Sequence, residues 1–355
     1  MADDKPLVDL IGVLQAATVD KYSSFFNILH STYQSALQGL NIKVDVMVSK
    51  SLEDSTKHKA RPLLIRIHGG YLVTGSSLYP PWFTNWILDY ARHSGAVLVS
   101  PNYRLMPEST GSDILEDMDA FWCWLRHGGV DDILEQGGYQ YLRIDLDRTL
   151  LVGESAGGYL AMQLALSYHG QVRGLIAAYP MLDIIDRHYT EPYSKPIIKV
   201  ANRPIEVLEC HLETLRAARA EGRNPVVTEA DPPDRMELSF CIVQNGRYLD
   251  FFGTGPRGLF PMDRITDSQD ADAASEGAEL PPMFIFHGEQ DSAVPAEGSQ
   301  RFVQALRKNR PRARVHLEIQ PGDHGFDFSA TLQTDWLKQG LKVVGPAWLG
   351  SEYGE

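Results

Sequence analysis

A serine hydroxyl is a poor nucleophile near neutral pH unless a base stands within hydrogen-bond reach. In Leu150-Leu151-Val152-Gly153-Glu154-Ser155-Ala156-Gly157-Gly158 an apolar run ends at a glycine, and a serine follows two residues later. Small residues then open a segment of helical spacing. The pattern fits Gly-x-Ser-x-Gly, a tight strand-to-helix turn that pushes a serine hydroxyl out beyond its strand. Glycine is needed on both sides, because a side chain at Gly153 or Gly157 would strike the neighbouring strand or helix. Among eleven histidines, His324 is the best-placed base. It sits in Pro321-Gly322-Asp323-His324-Gly325-Phe326, just beyond the last strand-like run. Asp291 leaves another strand through Phe286-His287-Gly288-Glu289-Gln290-Asp291 and would orient the imidazole and stabilise its charged form. Glu289, Asp323 and His287 compete for these roles, with Glu289 better suited to the turn. Serine, acid and histidine in this order, each just past a strand, suit nucleophilic acyl transfer.

Acyl transfer also needs donors where the carbonyl oxygen turns negative, and backbone amides serve because they are fixed and do not titrate. His68-Gly69-Gly70-Tyr71 follows an early strand, where such a loop can face the serine turn. The amides of Gly70 and Tyr71, on the loop begun by Gly69, would join that of Ala156 in a three-donor hole.

The elements that must position these groups alternate. Residues 42–48, 63–67, 96–100, 146–152, 172–178, 283–286 and 315–319 read as strands. Helical spacing predicts helices from Pro80 to about Arg92, from Ile114 to His127, over 156–168, over 298–308 and over 332–343. Such alternation implies an α/β fold with a mostly parallel sheet covered on both faces. Residues 1–40 read as helical pieces, from Leu7, Leu10, Ile11 and Leu14 and then Phe25, Phe26, Ile28 and Leu29. The rhythm breaks over 183–279, a proline-rich stretch with a charged helix at 206–219 and an acidic end at 267–279. It is too long for an ordinary loop and reads as an inserted cap. The expected divisions are a cap part at 1–40, a core at 41–182, the cap insertion at 183–279 and a second core part at 280–355.

Of the 355 residues, 43% are hydrophobic and 22% charged, an ordinary soluble composition. The net charge of −13 argues against nucleic acid or an anionic membrane as partner. No apolar run reaches the roughly 18 residues of a membrane span, and the N-terminus lacks the pattern of a secretory signal. Cys123, Cys210 and Cys241 are odd in number and widely spaced, which suggests buried thiols and a cytoplasmic setting rather than disulfides or a metal cluster.

Taken together, His68-Gly69-Gly70, Asn102-Tyr103-Arg104-Leu105-Met106-Pro107-Glu108, Gly153-Glu154-Ser155-Ala156-Gly157-Gly158, Asp291 and His324-Gly325-Phe326 resemble the hormone-sensitive-lipase-like family of α/β-hydrolase esterases. The resemblance spans roughly 63–180 and 280–328. It implies an α/β-hydrolase fold, with Ser155 as nucleophile, His324 as base, Asp291 as its orienter, and no metal or organic cofactor. It also implies that residues 103–108 brace the site and that 1–40 and 183–279 form one cap. Two departures stand out: Tyr71 occupies the place of the family's third glycine, and Glu154 that of the commoner Asp.

The reaction expected is hydrolysis of small to medium apolar esters through an acyl-enzyme. A lactonase, a thioesterase or an acyl-transfer or cyclising enzyme on a natural-product intermediate keeps the same first step. A small-molecule receptor on this scaffold would lack the working histidine, which is present here. Tyr71, Leu72, Trp82, Phe83 and Tyr189 are candidates for an apolar pocket, and the partners expected are a small-molecule ester or lactone substrate and, in a homodimer, a second copy of the chain.

Overall fold

The computed structural model describes residues 5–16, 21–52, 60–266 and 279–350. Eight strands form one sheet: β1 (Phe26–Gln34), β2 (Asn41–Ser49), β3 (Ala60–Ile67), β4 (Val97–Pro101), β5 (Arg143–Glu154), β6 (Gly174–Ala178), β7 (Met283–Gly288) and β8 (Val315–Gln320). Their order is β1-β2-β4-β3-β5-β6-β7-β8. Strand β2 runs antiparallel to β1 and β4, and every pairing from β4 to β8 is parallel.

Parallel pairs need crossovers, and these bring helices onto both faces. Strand β3 shows why its sequence reads as a continuous apolar run. Leu63, Ile65 and Ile67 enter one core layer with Val97, Val99 and Leu151. Leu64 enters the opposite layer with Leu98, Leu150, Val152, Ile176 and Phe284. The helices of the first half are α1 (Lys5–Gln15), α2 (Asn85–His93), α3 (Gly111–Arg126), α4 (Gly129–Gln136) and α5 (Ala156–Ser167). Helix α5 is apolar around its whole circumference and buried from Ala156 to Ala165, as befits a helix inside the molecule. Helix α3 starts at Gly111 because Thr110 and Asp113 form a reciprocal capping box there.

Between β6 and β7 the chain leaves the sheet for α6 (Arg187–Thr190), α7 (Glu206–Ala220), α8 (Met236–Gln244), α9 (Tyr248–Phe252) and α10 (Pro261–Thr266). The acidic stretch expected at 267–279 lies almost wholly outside the described residues. Helices Ala296–Asn309 and Asp335–Leu349 complete the second half.

Three expectations need correction. Residues 26–34 form an edge strand, not a helix, paired with β2 from Phe26 opposite Ser49 to Gln34 opposite Asn41. Only Phe26 and Tyr33 of that strand are buried, so its apolar residues never alternate cleanly and the strand period is hidden. The helix expected from Pro80 starts later: Pro80–Trp82 is a single 3₁₀ turn, and α2 begins at Asn85. Of the three cysteines only Cys241 is buried, while Cys123 and Cys210 are exposed; all are free thiols.

Candidate active site

Strand β5, between β3 and β6 in the middle of the sheet, ends at Glu154 and delivers Ser155 just beyond its C-terminal end. The serine has φ 57° and ψ −120°, a left-handed conformation rare for a side-chain-bearing residue. The turn holds this conformation from several directions. The Ser155 amide donates to the Ala178 carbonyl at 2.8 Å, and its carbonyl accepts the Met181 amide at 3.2 Å. The required glycines are explained by contact. A Cβ on Gly153 would lie 2.2 Å from the Gly157 carbonyl oxygen, and one on Gly157 would lie 2.0 Å from that of Ile67. The Ser155 hydroxyl makes no capping bond to the helix it begins, and the side chain lines a cavity of about 190 Å³.

His324 lines the same cavity, carried by the loop after β8. Its Nδ1 lies 2.8 Å from Asp291 Oδ2. Asp291 is the partner of the imidazole; neither competing carboxylate is. Asp323 accepts the amide and hydroxyl of Ser292 and the amide of His324 itself, and Glu289 accepts the Gln290 side chain. Asp291 Oδ1 takes the amides of Ala293 at 2.9 Å and Val294 at 2.8 Å. The remaining competitor, His287, is fully buried, with Nε2 2.8 Å from the Val294 carbonyl and 3.3 Å from Asp291 Oδ2. Burial opposes a charge on Asp291, yet His324 and His287 outweigh it and hold the carboxyl well below its ordinary range. Burial likewise opposes a charge on His324, but Asp291, joined by Asp323 and Asp327, prevails and raises it above 6.5. The Tyr179 ring packs on the imidazole with centroids 4.4 Å apart. No hydrogen bond joins Ser155 to His324 among the described residues; they share the cavity wall.

Facing them is the loop after β3. A Cβ on Gly69 would lie 3.0 Å from the Cβ of Ser155, so the absence of a side chain lets the loop approach the serine. Gly70 has φ 106°, and a Cβ there would lie 1.9 Å from the Thr74 carbonyl oxygen. No hydrogen bond takes the amides of Gly69, Gly70, Tyr71 or Ala156 among the described residues. His68 anchors the loop from below, stacked on Tyr103 at 4.3 Å, while the Tyr103 hydroxyl donates to the His68 carbonyl at 2.7 Å. Burial, helped by Arg66, pushes His68 down to about 3, so it stays neutral.

The segment 102–108 acts as a brace. Asn102 Oδ1 accepts the Ser77 amide, Arg104 donates to Asp117 at 2.8 Å, and Glu108 accepts Arg235 at 2.6 Å. Glu154 is paired inside the protein with Arg66, whose Nε lies 3.1 Å from Oε2, and the guanidinium covers the Phe83 ring. Burial pushes the Glu154 carboxyl up, and Arg66 offsets that only in part.

The cavity wall is mostly apolar. Leu10, Val13 and Leu14 come from α1, and Met236 and Phe240 from α8, with Ile198 and Ala293 beside them. Of the pocket residues expected from sequence, Tyr71 and Trp82 line it. Leu72, Phe83 and Tyr189 do not: the first two are wholly buried core, and Tyr189 packs against His188 and Tyr248. Adjacent aromatic and aliphatic residues carry no mark of which way the chain turns them, so their sequence positions misled. The contributions of α1 and α8 were missed for the same reason. No group of three or more potential metal ligands is found among the described residues.

A family model described as the alpha/beta hydrolase fold matches residues 64–231. Probable carboxylesterase M8 of Phoma sp. is 31% identical over 304 residues, covering 85% of this chain and 91% of that protein. The non-reducing polyketide synthase ausA of Aspergillus calidoustus is 25% identical over 319 residues, which is 81% of this chain and 12% of the synthase. Among solved structures, the Pyrobaculum calidifontis esterase matches with a TM-score of 0.57 at 18% identity, covering 98% of this chain and 92% of that one, a likeness of fold. The motifs, the strand order and the similarity over most of two chains agree: this protein belongs to the hormone-sensitive-lipase-like family of α/β hydrolases.

Proposed function

We propose that the protein is a serine carboxylic ester hydrolase working through an acyl-enzyme, with Ser155, His324 and Asp291 as its triad. One observation carries the reading: His324, hydrogen-bonded to Asp291, lines the same cavity as Ser155, which the strained turn presents there. Similarity to a probable carboxylesterase along most of the chain supports the reaction class.

In the proposed cycle the ester carbonyl carbon is attacked by Ser155 Oγ as His324 Nε2 takes the hydroxyl proton. The oxygen that turns negative is held by the free amides of Gly70, Tyr71 and Ala156, on the loop begun by Gly69. Collapse expels the alcohol, which takes the proton from His324. Water then attacks the acyl-enzyme, giving its proton to the same nitrogen, and the carboxylic acid departs as Ser155 is reprotonated. Asp291 stabilises the imidazolium throughout and keeps its own proton off. The apolar wall suits small to medium apolar acyl groups. Residues 1–40 and 183–279 act as the cap over a core of 41–182 and 280–355, except that β1 joins the sheet.

The similarity to part of a polyketide synthase favours a second reading, in which the acyl group arrives from a natural-product thioester or lactone. One assay tests the chemistry and separates the two substrates. Short acyl esters, lactones and acyl thioesters are offered across about pH 5 to about pH 8. Turnover falls on the acid side as His324 gains a proton and ceases to be a base. Because Asp291 raises His324, the midpoint lies above 6.5. A rate unchanged through this range, with chemistry limiting, contradicts His324 as base; preference for thioesters or lactones over simple esters selects the second reading.

A further inference from the structure

Tyr71 is the departure from the family pattern that the structure makes most sense of. It and Leu72 are consecutive residues with φ 57° and 60°, a region that favours glycine, so the chain holds a large side chain where a glycine would sit with less strain. That side chain is buried, and its hydroxyl donates to the Ala293 carbonyl at 2.6 Å. The Ala293 amide, with that of Val294, donates to Asp291 Oδ1. The phenol therefore grips the same short turn that holds the triad carboxylate. At its backbone end the residue is fixed too. The Tyr71 carbonyl accepts the Tyr248 hydroxyl at 2.9 Å, and the Leu72 carbonyl accepts the Met106 amide at 2.7 Å. Burial, aided by the nearby Asp291, raises the phenol well above its ordinary value, so it remains an O–H donor.

Resting on the serine-hydrolase reading above, we propose that Tyr71 is a positioning residue. Its rigid ring sets the distance between the oxyanion loop, to which its own amide belongs, and the Asp291–His324 arm. A glycine in its place would leave the two loops anchored separately. The transition state needs both at once, so a small loss of register acts on turnover rather than on substrate binding.

Tyr71→Phe tests this by keeping the ring and removing only the hydroxyl. Rates are taken per folded chain, with the folded fraction read from the cooperative thermal melt, so a lower yield of folded protein does not distort them. The kcat for a short-chain nitrophenyl ester falls about tenfold to a hundredfold, as expected for a buried carbonyl that loses its donor. KM stays within about twofold. In an Asp291→Asn background the same substitution costs less than about twofold, because the group it acts through is already impaired. A general packing role predicts equal losses in both backgrounds. Wild-type kcat in Tyr71→Phe, or that equal loss, overturns the inference while leaving the triad standing. Undiminished turnover by Ser155→Ala overturns the serine-hydrolase reading and this inference with it.

Discussion

Ser155→Ala lowers the turnover of a short-chain ester by about 10⁶, the loss typical of a triad whose nucleophile is removed. The thermal melt stays close to that of the unaltered chain, and the structure explains why. The turn is held through the Ser155 amide and carbonyl, bonded to Ala178 and Met181, while the hydroxyl makes no capping bond. Removing Oγ breaks no hydrogen bond among the described residues and adds no bulk. Residual hydrolysis above the uncatalysed rate is still expected, since the free amides around Gly70 and Ala156 can polarise a bound carbonyl without a nucleophile. Steady-state rates with a nitrophenyl ester, set beside the melting temperature, check both halves. Turnover within a few-fold of the parent chain would remove Ser155 from the mechanism.

His324→Ala brings a loss of comparable size, about 10⁶, because the nucleophile and its base act as a unit. The effect on the fold is modest. Asp291 keeps the amides of Ala293 and Val294 and the nearby Nε2 of His287, so its carboxylate is not abandoned in the interior. The double variant Ser155→Ala/His324→Ala is expected to be hardly slower than either single one. Losses that multiplied instead would mean the two side chains work independently. The measurement is again kcat/KM, with circular dichroism to show that the chains are folded.

These expectations rest on residues whose meaning the sequence carried to different degrees. The glycines around Ser155 were legible because they answer a steric demand that any such turn makes. The structure adds only the atoms a side chain would strike. Asp291 and His324 were legible as positions after strands, but pairing them needed coordinates, since Asp323, Glu289 and His287 lie as close in sequence. His287 shows the limit well. It touches the triad carboxylate, yet from sequence it is one more strand-end histidine. The central parallel strands β3, β4, β6 and β7 announced themselves as apolar runs because both of their faces are buried. Strand β1, at the sheet edge and half exposed, did not. The cavity wall was least legible of all. Leu10 and Leu14 lie in α1 and Met236 and Phe240 in α8, brought together only by long-range packing. Leu72 and Phe83, one residue away from true lining residues, turn into the core. Tyr71 was visible as a departure, but its bond to Ala293, 222 positions along the chain, was not.

In the proposed cycle Ser155 Oγ carries the acyl group of a covalent acyl-enzyme. Treating the full chain with a fluorophosphonate, which reacts with activated serine hydroxyls, and mapping the adduct by peptide mass spectrometry puts that role to the test. One phosphonyl group is expected, on the peptide containing Ser155, with ester hydrolysis lost in proportion to labelling and no label on Ser155→Ala. An adduct on another residue that abolishes hydrolysis, or full hydrolysis by chains labelled at Ser155, would contradict that role.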